Sequence, residues 1–381
     1  MENFDDIRPY NDNEVVEVID RLLKNPDFKK EITSAFPDQD WGQFEALMRT
    51  FKTKHEFQHG IIKGTVYKII DDCNSSIESA GLENIEKGKS YTYISNHRDI
   101  ILDASILSSI LAFNGHDTTE IAIGDNLLLH PWIEDLVRIN KSFIVKRGVS
   151  IRQMLEVSKH LSQYIHYAIN EKKESVWIAQ REGRAKNSND RTQESLLKML
   201  AMGSNKDFLG SLEELNISPV ALSYEYDPCD YLKAKEFQQK RDNPEFKKSK
   251  EDDRINMETG IFGYKGIVHF QFGKLITPAL RKLDTTIGKA ELVTSVAALI
   301  DKEIFLNYKF YPINYISYDR LWGKDRFKDQ YTPSDLLTFD KYLQKQLDKI
   351  DLPNKDIPFL TERILEMYAY PVKNQLSVTE K

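Results

Sequence analysis

A histidine and two carboxylates stand close together in the stretch His97–Asp103, at His97, Asp99 and Asp103. An imidazole titrates near neutral pH, so it can accept a proton from a hydroxyl group. A carboxylate that holds one ring nitrogen fixes the tautomer and leaves the other nitrogen as the base. The stretch therefore predicts a general base at His97, with Asp103 or Asp99 as the carboxylate that orients it.

The same residues also suit a plain helix start. Asp99 stands just before Ile100, where an N-cap residue would bond the helix backbone rather than the imidazole. Neither Asp99 nor Asp103 is three or four positions from His97, the spacing that puts two side chains on one helical face. His97 must therefore lie in the turn before the helix, and its partner stays open between Asp103 and Asp99.

The flanking segments predict the elements that position this turn. Ser90–Ile94 is β-branched and aromatic, which is typical of a buried strand. From Ile100 to Leu111, apolar residues recur at helical spacing. Strand-like and helix-like runs alternate between residues 88 and 278, which indicates an α/β fold with a mostly parallel sheet flanked by helices. His97 then belongs at the carboxyl edge of the sheet, where such folds collect their chemistry.

Around this sheet we expect helical N- and C-terminal segments. The predicted division is a helical segment over residues 1–80, a catalytic domain over 81–280 and a helical extension over 281–381. Within the domain, Lys233–Glu258 is highly charged and poor in apolar residues. A solvated helix or loop between two strands is expected there.

Four blocks stand in a fixed order along the chain: Asn96–Asp103, Lys141–Arg147, Val176–Arg184 and Ile217–Glu225. The second is an apolar strand that ends in arginine, the third a strand that runs into Glu-Gly-Arg, and the fourth a strand headed by proline. Together they resemble the blocks of the glycerolipid acyltransferases, which acylate glycerol 3-phosphate, 1-acylglycerol 3-phosphate or dihydroxyacetone phosphate. The chain ends, near 1–60 and 280–381, carry no such resemblance.

The resemblance implies the fold of the glycerol-3-phosphate acyltransferases and a reaction in phospholipid biosynthesis. A fatty acyl group would pass from an acyl-CoA or acyl-carrier-protein thioester to the hydroxyl of glycerol 3-phosphate or 1-acylglycerol 3-phosphate. His97 would be the base, with no cofactor and no metal. The family pattern is His-x4-Asp, whereas five residues separate His97 from Asp103. A catalytically silent protein that binds the acyl donor is therefore kept as an alternative.

Three arginines are candidates for the phosphate of the acceptor, because a guanidinium fork matches phosphate oxygens. Arg147, Arg181 and Arg184 stand at the ends of predicted strands. By resemblance, Glu182 and Gly183 lie where the acceptor is bound, and glycine permits close approach of the backbone. The polar run Asn187–Thr192 follows, where a flexible lid or an acceptor loop is expected.

A second motif favours a different chemistry. The run His55–His59 matches His-Glu-x-x-His, in which two histidines on one helical face bind zinc and Glu56 polarises water. Glu78 follows where a third ligand can stand, although Lys54 occupies a position that is usually uncharged. The alternatives are a zinc metallopeptidase and a surface helix with two solvated histidines.

Net charge, cysteine spacing and the length of apolar stretches restrict the cellular compartment and the partners of the protein. The formal net charge of −6 argues against general nucleic-acid binding. Cys73 and Cys229 have no metal or disulfide spacing, which suits a reducing compartment. No stretch approaches the ~18 apolar residues of a membrane span. We therefore expect a cytoplasmic protein, peripheral on the inner face of the membrane, whose partners are a carrier-protein or coenzyme A thioester and a phosphorylated glycerol or lysolipid acceptor.

Overall fold

A computed structural model describes residues 3–380. Within that range seven strands form one sheet. Their bounds are β1 Ser76–Ala80, β2 Thr92–Ser95, β3 Thr119–Gly124, β4 Ser142–Val145, β5 Ser175–Ala179, β6 Ile217–Tyr224 and β7 Ile267–Phe272.

Helices surround the sheet and form both ends of the described chain. They are α1 Val15–Lys24, α2 Pro26–Ala35, α3 Trp41–Met48, α4 Lys54–Asp72, α5 Leu102–Phe113, α6 Pro131–Ile139, α7 Ile151–Tyr167, α8 Glu194–Leu200, α9 Phe208–Glu213, α10 Asp230–Asp242, α11 Lys250–Phe262, α12 Thr277–Leu280, α13 Lys289–Leu306, α14 Pro312–Tyr318, α15 Pro333–Asp348 and α16 Ile357–Thr379. None of the helices within residues 3–380 combines the length and apolarity that crossing a bilayer requires.

The strand order is β1-β7-β6-β2-β5-β3-β4, and the five strands from β6 to β4 run parallel. Strand β7 pairs antiparallel with β6, and β1 pairs parallel with β7. The predicted α/β class with a mostly parallel sheet is therefore confirmed. The carboxyl ends of the parallel strands meet at one edge, which brings the turn after β2 beside the ends of β5 and β6.

Both faces of the central strands β2, β5 and β6 are buried, and alternate residues of each strand point to opposite sides. Tyr93 and Trp177 face a cluster built with α4 and α5. Ile94 and Ile178 face a larger cluster built with α7, α8 and α13. This double burial explains why the central strands are almost continuously apolar.

Two segments, Ser76–Ala80 and Lys233–Glu258, differ in detail from the expectation. Ser76–Ala80 falls in the segment expected to be helical, but it forms the edge strand β1. Its residues alternate between exposed and half-buried, so its sequence is too polar to signal a strand. The charged stretch Lys233–Glu258 is largely helical, in α10 and α11, yet Lys233 and Glu236 are buried rather than solvated. Their charges are paired, Lys233 with Asp227 and Glu236 with Lys186.

Helix α11 closes over the turn that follows β2, and Gly260 is its point of contact. A Cβ atom added at Gly260 would lie 2.1 Å from Oδ2 of Asp99. Gly260→Ala should therefore destabilise the protein by about 1–3 kcal/mol, the usual cost of overpacking a filled interior. Urea denaturation followed by circular dichroism measures the change.

The matched control is Gly64 in α4, where an added Cβ meets nothing within 4 Å. Gly64→Ala should stabilise the protein by about 0.5–1 kcal/mol, because alanine has the higher helix propensity. Equal effects of the two substitutions would contradict the contact between Gly260 and Asp99.

The C-terminal helices are joined to α10 through a buried carboxylate. Asp230 is fully buried and accepts hydrogen bonds from the hydroxyls of Tyr342 at 2.6 Å and Tyr368 at 2.7 Å. Burial raises the pKa of Asp230 from 3.8 to about 7. The folded protein therefore holds a proton on this group over a range in which the unfolded chain has released it.

This shift gives stability a defined pH dependence. A raised pKa contributes stability at pH values below 3.8, and the contribution is lost as the pH rises through about 7. From about pH 5 to about pH 8 the unfolding free energy of the wild type should fall relative to that of Asp230→Asn, which does not titrate. Denaturation at both pH values, with the exposed Asp117→Asn as the control, measures this. A constant difference between wild type and Asp230→Asn would contradict the assignment.

Candidate functional site

The site is built on the turn between β2 and α5. Asn96, the first residue after β2, extends the pairing with β6: its Nδ2 donates to the carbonyl of Leu222, and its Oδ1 accepts from the N–H of Leu222, both at 2.8 Å. Trp177 on β5 supports the turn from the other side, since its Nε1 donates to Oγ of Ser95 at 2.9 Å. His97, which follows Asn96, is therefore held at the carboxyl edge of the sheet by contacts of its neighbours with β5 and β6.

His97 and Asp103 form a pair. Nδ1 of His97 lies 2.7 Å from Oδ2 of Asp103, which is fully buried in the first turn of α5. Because a carboxylate only accepts, Nδ1 carries the proton and Nε2 is the free lone pair. Nε2 makes no hydrogen bond to any residue of the described range, and 14% of the His97 side chain is exposed. The ring also meets Trp177 edge-on, with 5.4 Å between the ring centroids.

Three further donors hold the Asp103 carboxylate. Its Oδ2 accepts from the backbone N–H groups of Arg98 at 2.6 Å and Asp99 at 3.0 Å. Its Oδ1 accepts from the hydroxyl of Tyr224, at the end of β6, at 2.8 Å. A buried charge needs this degree of satisfaction, because removing it from water is costly. The carboxylate is consequently fixed in position before any substrate arrives.

Asp99 has a different place. Its Oδ1 accepts from the N–H groups of Ile101 at 2.9 Å and Leu102 at 2.7 Å, so it closes the turn and satisfies the start of α5. Burial raises the pKa of Asp99, and the nearby Asp103 carboxylate adds to the shift. Of the two carboxylates left open by the sequence, the structure pairs Asp103 with the imidazole. Asp99 bonds the backbone just before the helix, but the N-cap residue of α5 is Ile101, so the expected N-cap position of Asp99 is wrong.

The predicted cationic residues meet at the same edge. Nη1 of Arg147, after β4, lies 2.5 Å from Oε1 of Glu182, so these two predicted substrate-binding residues bind each other. Gly183 has a φ of +65°, a conformation that glycine adopts at little cost. Nη1 of Arg184 contacts the carbonyl of Arg98 at 3.4 Å. Arg181 makes no side-chain hydrogen bond or ion pair within residues 3–380.

Two residues next to the site were given little weight or none by the sequence reasoning. Arg98 is buried and pairs with Asp190 and Ser188 of the loop that follows β5. Tyr224 stood in the fourth block but without a role. No sequence signal marks its contact with Asp103, because that contact depends on β6 lying beside β2.

The His-Glu-x-x-His motif lies in the first turns of α4, and its glutamate takes part in capping that helix. Glu56 is the N3 residue of α4 and accepts from the N–H of Thr53 at 3.1 Å, the reciprocal half of a capping box. The rings of His55 and His59 lie 4.0 Å apart. Glu78, the expected third ligand, lies on β1 and pairs with Lys309. Residues 3–380 contain no group of three or more His, Cys, Asp or Glu side chains arranged to hold a metal ion.

Comparison of the sequence with known protein families gives a match over the segment that contains His97 and Asp103. Residues 76–219 match a family model described as Acyltransferase, from β1 into β6. This segment is therefore similar to the acyltransferase family. The resemblance inferred from the four sequence blocks is confirmed.

Among solved structures, the chain is similar to the 1-acyl-sn-glycerophosphate (LPA) acyltransferase PlsC from Thermotoga maritima. The two share 13% identity with a TM-score of 0.38, over 74% of this chain and 92% of that chain. No curated protein sequence matches the chain. The acyltransferase segment contains the four blocks up to Pro219, and therefore His97, Asp99, Asp103, Arg147 and residues 181–184.

The pairing of His97 can be tested without any substrate. A proton on Nδ1 held 2.7 Å from a carboxylate oxygen should give a downfield proton resonance in protein labelled with ¹⁵N-histidine. Asp103→Asn should abolish or shift this resonance strongly, whereas Asp99→Asn should retain it. Loss of the resonance in Asp99→Asn alone would assign the pairing to Asp99 instead.

Proposed function

We propose that this acyltransferase moves a fatty acyl group from an acyl-CoA or acyl-carrier-protein thioester to the hydroxyl of glycerol 3-phosphate or 1-acylglycerol 3-phosphate, in phospholipid biosynthesis. The observation that carries the proposal is the His97–Asp103 pair, with Nδ1 bound to a buried carboxylate and Nε2 free at the sheet edge. No cofactor is needed for this chemistry.

The reaction follows from the free Nε2 of His97. As the acceptor oxygen attacks the thioester carbon, Nε2 takes the hydroxyl proton and the ring becomes an imidazolium stabilised by Asp103. The tetrahedral oxyanion then collapses, the carbon–sulfur bond breaks, and the thiolate recovers the proton from Nε2. Transfer is direct, so no serine or cysteine nucleophile takes part.

The acceptor phosphate would be bound by the cations of this edge. Arg181 has no partner in the described range, and Arg184 has one long contact, so both are available to phosphate oxygens. Arg147 is held by Glu182 at 2.5 Å, and a phosphate would compete with that carboxylate for the guanidinium. Glu182, once released, can accept a hydrogen bond from a glycerol hydroxyl, and Gly183 lets the acceptor approach the backbone.

Exposed apolar side chains suggest where the acyl donor or a membrane surface would contact the protein. The apolar side chains of Met154 and Leu155, at the start of α7, are 51% and 68% exposed, and Leu129 before α6 is 49% exposed. Such side chains suit contact with an acyl chain or a membrane surface. The protein would act in the cytoplasm, peripherally on the inner face of the membrane.

The deciding experiment is thiol release from palmitoyl-CoA and palmitoyl-carrier protein, with glycerol 3-phosphate or 1-acylglycerol 3-phosphate as the acceptor. His97→Ala should lower acceptor-dependent kcat by about 10²–10⁴-fold, the usual contribution of a general base. His116→Ala, a half-buried histidine beyond the other end of α5, is the matched control and should keep wild-type rates.

Two other outcomes separate the alternatives. Binding of the acyl donor without any acceptor-dependent release would favour the silent donor-binding protein. Peptide hydrolysis that a chelator abolishes, and that is lost in His55→Ala or His59→Ala, would favour the zinc metallopeptidase.

A further inference from the structure

The loop that follows β5, residues 180–193, is divided into two halves. In the first half, Arg181 and Arg184 are half-buried, while Glu182 and Gly183 are exposed. In the second half, Ser188, Asp190 and Thr192 are buried. The polar run Asn187–Thr192, for which the sequence predicts a flexible lid or an acceptor loop, therefore has three of its side chains packed into the protein.

The second half is fastened to three helices, all of which lie beyond the acyltransferase segment. Lys186 pairs with Glu236 of α10. A guanidinium nitrogen of Arg191 donates to Oδ1 of Asn374, on α16, at 3.1 Å. The connection to α13 consists of two hydrogen bonds from the loop to one carboxylate oxygen.

That carboxylate is Asp301. Its Oδ1 accepts from the backbone N–H of Thr192 at 2.8 Å and from the Thr192 hydroxyl at 2.7 Å. Asp301 is 8% exposed and Thr192 7% exposed. Neither donor has water as an easy substitute here, so loss of the acceptor leaves a buried N–H and a buried hydroxyl unpaired. The position of Thr192 therefore depends on α13.

Hydrogen bonds within the loop connect Thr192 to the residues proposed to bind the acceptor. Gln193, next to Thr192, donates its N–H to the carbonyl of Gln180 at 2.9 Å, and its Oε1 accepts from the N–H of Glu182 at 2.6 Å. Fixing Thr192 thus fixes the base of the half that presents Arg181 to Arg184. Asp301 is linked to Glu182 through two consecutive residues, without touching the acceptor itself.

We propose that Asp301 is a positioning residue for acceptor binding, holding loop 180–193 so that residues 181–184 stand in the geometry that binds the phosphorylated acceptor. This rests on the proposed acyl transfer, whose acceptor those residues bind. Helix α13, which lies in a part of the chain without family resemblance, would then contribute to recognition of the acceptor and not of the acyl donor.

The test compares Asp301→Ala with Asp301→Asn. Asp301→Ala should raise the KM for glycerol 3-phosphate or 1-acylglycerol 3-phosphate about tenfold, because two buried donors lose their acceptor. Its kcat and its KM for palmitoyl-CoA should stay within about twofold of wild type. Asp301→Asn keeps an oxygen in place and should restore the acceptor KM, a rescue that general loss of folding would not show.

A second measurement does not need activity. Hydrogen–deuterium exchange of peptides covering residues 186–193 should speed up in Asp301→Ala but not in Asp301→Asn. Lys302→Ala, at the exposed neighbouring position of α13, is the control and should change neither readout. If Asp301→Ala folds poorly, Thr192→Val removes only the hydroxyl donor and should give a smaller shift in the same direction.

The outcomes are distinct. Unchanged exchange in Asp301→Ala, or faster exchange with an unchanged acceptor KM, would overturn the positioning role. Equal rises in the KM of acceptor and donor would overturn it as well. If the wild type acylates none of the acceptors, the proposed function fails, and the exchange comparison still decides whether Asp301 holds the loop.

Discussion

The fully buried carboxylate of Asp103 imposes the constraint on which the site depends. Removing an ionised carboxylate from water costs several kcal/mol unless donors replace the water. Here the donors come from His97, from two backbone N–H groups of the turn, and from Tyr224 on β6. The turn, the start of α5 and the pairing of β6 with β2 must therefore form together, and the imidazole is oriented as a consequence.

The extra residue between the histidine and the aspartate is absorbed by the same arrangement. Asp99 takes the N–H groups of Ile101 and Leu102, which gives the turn a closed shape and lets α5 begin at Leu102. Asp103 then returns to the imidazole despite the longer connection. The two carboxylates divide the work: one satisfies backbone donors near the helix start, and the other holds the ring. Gly260 makes room for the first of them.

The sequence predicts those features that depend on local residue patterns. The central strands, α5, and His97 at the end of β2 follow from apolar runs, helical periodicity and a polar junction, and all are present in the structure. Sequence reasoning could not reach contacts set by strand order, such as Tyr224 with Asp103. It also read charge as exposure, which failed for Glu236, because the partner that permits its burial, Lys186, lies far away in sequence. Strand β1 was missed because an edge strand with one solvated face needs few apolar residues.

The boundary of the acyltransferase segment is not a physical boundary of the fold. The segment stops at Pro219, within β6, whereas β6 pairs on one side with β7, and β7 pairs in turn with β1. Without β7, backbone groups of β6 and β1 would lose their partners at the edge of a buried sheet, which is costly. Tyr224 lies beyond that boundary and still completes the Asp103 site. The residues after the segment are therefore part of the structure that holds His97 in place, rather than an appendage added to it.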